Sequence, residues 1–92
     1  MSNYQEPSKE LSKKARSQTR ALNSLKEEIE AVDWYNQRVD IEPDDSLKSI
    51  LEHNMVEEIE HACMTLEWLR RNMKGWDDHL KEFLFKEGEI SH

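Results

Sequence analysis

Glu58 and His61 stand three positions apart in a helically patterned stretch, so their side chains lie one turn apart and point the same way. A carboxylate and an imidazole held side by side are oxygen and nitrogen donors for a divalent metal ion. At about 100° per residue, Glu58 falls in the middle of an apolar arc that includes Leu51, Ala62 and Leu69. Glu28, in an earlier helical stretch, lies about 60° from the centre of an apolar seam, on the side of Ala21, Leu25, Val32 and Tyr35. Burying even one carboxylate without a partner costs several kcal/mol, and the three groups together ask for a shared cation. The nearby basic residues, Lys26 and Arg38, project elsewhere on their helix.

Two long helices must position these groups. Leu11, Ala15, Gln18, Leu22, Leu25, Ile29, Val32, Asn36 and Val39 alternate spacings of four and three, the seam of one helix that starts at Ser8. Asp40-Ile-Glu-Pro-Asp-Asp45 reads as a turn, with Pro43 ending the first helix and Asp44 or Asp45 placed to cap the second. Leu47, Leu51, Met55, Ala62, Leu66, Leu69 and Met73 form the arc of the second helix, which stops near Gly75. A short third element over 77–85 sets Leu80, Phe83 and Leu84 at helical spacing, a docking surface for a neighbouring subunit. Residues 1–7 are expected to lack fixed structure, 8–86 to form the helical hairpin domain, and 87–92 to be a polar tail. The expected fold class is all-α: an antiparallel two-helix hairpin plus a short C-terminal helix. Each long helix has about thirty residues and runs roughly 45 Å. Two such helices share one line of contact and leave much of both apolar arcs wet, so a second copy is the natural completion.

Glu-x-x-His on one helix with a lone Glu on its neighbour is the ligand set of ferritin-like carboxylate sites, which need two copies of it. One chain supplies half. The same two-fold dimer completes both core and site, as a ferritin-like four-helix bundle with two metals on or beside its axis. Carboxylates with one imidazole per metal suit iron or manganese better than a thiolate-seeking ion, and zinc stays open. On pattern alone a second reading stands beside this one: Glu-x-x-His also arises as a solvated acidic face, a helix-stabilising pair or a polar network between helices.

Composition narrows the field. With 92 residues, 36% hydrophobic and 36% charged, the core must be thin, and so short a chain is often marginal without metal, disulfides or oligomerisation. Cys63 is the only cysteine, which leaves no disulfide within a chain. Thirteen basic against twenty acidic residues give a net charge of −7, which disfavours nucleic acid and anionic membranes and suits metal ions. No apolar run is long enough to cross a bilayer, and Met1-Ser-Asn-Tyr-Gln-Glu-Pro7 lacks the basic and apolar regions of a signal peptide. A soluble intracellular protein is the expectation.

Two longer motifs carry a resemblance. Leu25-Lys-Glu-Glu-Ile-Glu-Ala-Val-Asp-Trp-Tyr-Asn-Gln-Arg-Val39 and His53-Asn-Met-Val-Glu-Glu-Ile-Glu-His-Ala-Cys-Met-Thr-Leu-Glu-Trp-Leu-Arg-Arg71 closely resemble the encapsulated ferritins, cargo ferroxidases of bacterial encapsulin nanocompartments. The similarity runs from about residue 6 to residue 86. It implies a ring-shaped decamer of hairpin dimers, with a di-iron ferroxidase centre, two irons per dimer interface, that oxidises Fe(II) with dioxygen. It implies that Glu28, Glu58 and His61 are the iron ligands, that Tyr35 is the ligand-adjacent tyrosine, and that Glu27, Glu30 and Trp34 form the site where metal enters. Oxidised iron would pass to the surrounding encapsulin shell for storage, in the lumen of a compartment in the bacterial cytoplasm. Family members carry a C-terminal extension with a short shell-targeting peptide. These residues stop at His92 without one, so encapsulation rests on the resemblance.

Other residues have plainer readings beside the functional one. Tyr35 could hydrogen-bond a ligand or quench a radical, or simply fill the amphipathic seam. Glu27, Glu30 and Trp34 lie opposite the seam of the first helix, where glutamates are usually solvated; Trp34 argues for a second contact surface. Trp68 reads as packing, His53 as a surface histidine, and Cys63 as an ordinary small residue. Asp77, Asp78 and His79 need no metal to explain them at a helix start. Two rival functions remain: an oligomerising helical adaptor with no chemistry, and a rubrerythrin-like peroxidase, whose rubredoxin-type cysteine set one cysteine cannot provide.

Overall fold

The computed structural model describes residues 4–91. Three α-helices follow a 3₁₀ turn at Ser8–Glu10: α1 spans Lys13–Ile41, α2 Asp45–Asn72 and α3 Trp76–Phe83. The all-α hairpin with a short C-terminal helix expected from the sequence is the architecture found.

Local chemistry sets each boundary. The first helix begins five residues later than its seam predicts. Leu11 is extended and the Ser12 hydroxyl accepts from the Ala15 N–H at 3.0 Å, so the capping side chain fixes the start at Lys13. At the other end Glu42, which precedes Pro43, is extended at φ −71° and ψ 118°, the conformation that proline imposes on its predecessor. Asp44, rather than Asp45, caps α2 by accepting from the Leu47 N–H at 2.8 Å. Only 42–44 separate the two helices, a connection short enough to force them antiparallel. The far ends are tied where the Gln18 side-chain amide donates to the Asn72 carbonyl at 2.7 Å.

The turn into α3 uses Gly75 at φ +103°, a backbone region closed to most other residues. An ionic clasp then holds α3 against α2. Arg70 donates to both oxygens of Glu67 at 2.6 and 2.7 Å and to Asp77 at 2.6 Å. Arg71 joins Glu67 at 2.6 Å, and Lys81 joins Asp77 at 3.0 Å. Hydrogen bonds from Arg70 and then Arg71 hold the Glu67 carboxyl down at about 2. Lys81 first, then Arg70, lower Asp77, while its two carboxylate partners raise Arg70.

The chain on its own is an unfinished core. Its radius of gyration is 16.9 Å, against about 12 Å for a compact domain of this length. Leu69 alone among the described residues is fully buried, while Ile29, Ile50, Val56, Ile59 and Met64 are exposed. Exposed apolar area of this extent on two packed helices marks a surface meant to be covered. None of the described helices is long and apolar enough to cross a membrane.

Candidate metal centre

The antiparallel hairpin sets the middle of α1 against the second half of α2. Glu58, His61 and Thr65 follow one another at intervals of three and four on α2, a single stripe of that helix. The Glu58 side chain is 28% exposed and that of His61 46%. Glu28 of α1 is half-buried, and Thr65 reaches across to it: the threonine hydroxyl lies 2.9 Å from Oε1 and 3.2 Å from Oε2. Glu28 is thus linked through Thr65 to the stripe of α2 that carries Glu58 and His61.

Neither Glu28 nor Glu58 has an ion pair with Lys or Arg among the described residues. Three arginines of the two long helices are committed elsewhere. Arg70 and Arg71 belong to the clasp, and Arg38 lies over the Tyr35 ring at 5.0 Å from its centre. Among the described residues the only charge partner of Glu58 is His61, at 3.8 Å between Oε2 and Nδ1, beyond hydrogen-bonding distance. Such a donor set, anionic oxygens left without a basic partner beside one imidazole, fits iron chemically. Among the described residues no three His, Cys, Asp or Glu groups of one chain converge tightly enough to hold an ion. One subunit therefore presents the donors without enclosing a site.

The remaining candidates fall in three places. Tyr35 is half-buried two turns along α1 from Glu28, and its ring is engaged with Arg38. Glu27 and Glu30 are exposed on the outer side of α1. Trp34, 49% exposed, lines a shallow cleft with Gln37, Arg38 and Ile41. His53 is bonded to Glu57 at 2.9 Å on the surface, and His79 faces Glu82 at 3.4 Å. Cys63 is exposed beside an apolar groove that Leu66, Leu80 and Leu84 also line. Thr65 was not singled out from the sequence. Its position seven residues after Glu58 on the same stripe was the available signal.

With this arrangement in view, the relatives are informative. The profile of the EncFtn-like family matches residues 3–87. The chain belongs to the EncFtn-like family, the encapsulated ferritins. A ferritin-like protein of Thermotoga maritima is 59% identical over 88 residues, which are 96% of this chain and 77% of that protein. An encapsulated ferritin-like protein of Rhodospirillum rubrum is 54% identical over 86 residues, 94% of this chain and 61% of the relative. Among solved structures, the crystal structure of protein ne0167 from Nitrosomonas europaea superposes with a TM-score of 0.94 at 52% identity, covering 99% of this chain and 100% of that one. Membership of the EncFtn-like family ties the hairpin to a ferritin-like, iron-related function in general terms. It leaves the half-buried Glu28 and Glu58 and the exposed His61 as the part to be interpreted.

Proposed function

We propose that two copies of the hairpin pair through their apolar faces and complete a di-iron ferroxidase centre from Glu28, Glu58 and His61 of each chain. Fe(II) is the substrate: two ions give up one electron each to dioxygen. The carboxylates favour the more highly charged ferric product, and each histidine supplies one neutral donor per iron. Glu28 comes from α1 and the Glu58–His61 pair from α2, so helix packing, and not a loop, sets the spacing of the donors. Tyr35 stands on the ligand side of α1, placed to hydrogen-bond a ligand or quench a radical. Glu27, Glu30 and Trp34 form an acidic vestibule that draws Fe(II) in from solvent.

In the proposed assembly, dimers join into a ring-shaped decamer, with the groove between α2 and α3 taking the neighbouring dimer. The ring is cargo of an encapsulin shell in the bacterial cytoplasm, which stores the oxidised iron. The name of the Rhodospirillum rubrum relative, an encapsulated ferritin-like protein, supports this placing.

The observation that carries the reading is that Glu28 and Glu58, on the two packed helices, have no Lys or Arg partner among the described residues. Adding Fe(II) to the aerobic protein and following oxygen consumption tests it. Rapid uptake in proportion to the iron added is the expected result. Uptake no faster than in protein-free buffer would contradict it.

A further inference from the structure

The geometry points to Thr65 as a positioning residue for the iron site, one that fixes the Glu28 carboxylate before metal arrives. This rests on the reading of Glu28 as an iron ligand. A threonine inside a helix ordinarily returns its hydroxyl proton to the carbonyl four residues back, or turns to solvent. Here the hydroxyl leaves its own helix and donates to α1, with Oε1 at 2.9 Å and Oε2 at 3.2 Å. Threonine is β-branched, so few χ1 rotamers are open to it in a helix and the donor is held in place by its own backbone.

Two consequences follow for the site. A single hydroxyl proton occupies one acceptor position at a time, while a carboxylate offers about four. Glu28 is therefore held without being used up, and its other lone pairs stay free for cations. The bond also runs between the two helices of one chain, so one of that chain's three donors is ordered before a second copy arrives. Glu58 and His61 differ in this respect: they stand 3.8 Å apart with no bond holding either to the other. Partners of this kind, which orient a ligand without touching the metal, typically change metal affinity by about 10- to 100-fold when removed.

The test uses the whole oligomer and Co(II), a redox-quiet probe with visible d–d absorption. Thr65→Val and Thr65→Ala both remove the hydroxyl, and the smaller variant carries the test if the valine crowds the hairpin. Thr65→Ser restores the hydroxyl. Co(II) binding about tenfold weaker in the valine and alanine variants, with an altered d–d spectrum and with wild-type behaviour in the serine variant, is the expected result. Wild-type affinity and spectrum in both hydroxyl-free variants would overturn the role of Thr65 and leave the metal site standing. Equal weakening in all three would overturn it too, because the serine variant keeps the hydroxyl and would bind as weakly as the variants without it. If Glu58→Ala binds Co(II) as the wild type does, the reading of the site fails, and the role of Thr65 with it.

Discussion

Nδ1 of His61 stands 3.8 Å from Oε2 of Glu58, one turn away on the same helix. That separation is too long for a hydrogen bond, although both groups share one stripe of α2. The pair is arranged side by side and uncommitted, as two donors to a third body would be. Replacing either, as Glu58→Ala or His61→Ala, should abolish rapid aerobic Fe(II) oxidation. Stopped-flow absorbance under limiting iron measures this, and wild-type rates in either variant would count against the assignment.

Glu27 lies on the exposed outer side of α1, next in sequence to Glu28 but turned about 100° away from it. Glu27→Ala should slow iron uptake while leaving the centre assembled. Initial oxidation rates across Fe(II) concentrations, paired with metal analysis of the loaded protein, separate the two effects. Loss of metal from the dimer centre would speak against a vestibule role.

The clasp at the α2–α3 turn makes an acid-stability prediction. The Glu67 carboxyl titrates near 2 in the folded chain against an ordinary value of 4.5. A carboxyl lowered on folding stabilises the native state fully above its unfolded value, and that contribution is lost as pH falls through the folded one. Thermal melting followed between pH 5 and pH 2 should therefore steepen in this window, and Glu67→Gln should flatten the slope. The network is exposed, so added salt should weaken the effect. An unchanged slope in the variant would remove Glu67 from the account.

Leu69 is the one fully buried side chain among the described residues. Leu69→Ala should cost about 2–5 kcal/mol, the usual range for emptying a buried leucine position. Urea unfolding at fixed protein concentration measures it. Because the apolar faces of the hairpin are unfinished within one chain, apparent stability should also rise with protein concentration. A midpoint independent of concentration would argue against assembly as the source of stability.

The sequence showed the hairpin, its antiparallel sense and its turn, because those depend on patterns of three and four and on Pro43 and Asp44, which act locally. The apolar seam overruns the start of α1 because Leu11 continues the pattern, while the cap that sets the start is a single hydroxyl on Ser12. At the site, Glu58 and His61 were legible as acidic and imidazole groups within an apolar arc. Thr65 was not, since a threonine on such an arc looks like ordinary packing until the facing helix brings Glu28 within 2.9 Å. The clasp was hidden for a similar reason. Arg70 and Asp77 meet only because Gly75 reverses the chain between them.

Native mass spectrometry of the anaerobically Fe(II)-loaded protein tests the central claim most directly. The account predicts two irons for every two chains, gained together with dimer formation and absent from Glu58→Ala. Iron bound to single chains, or a count unchanged in that variant, would contradict it.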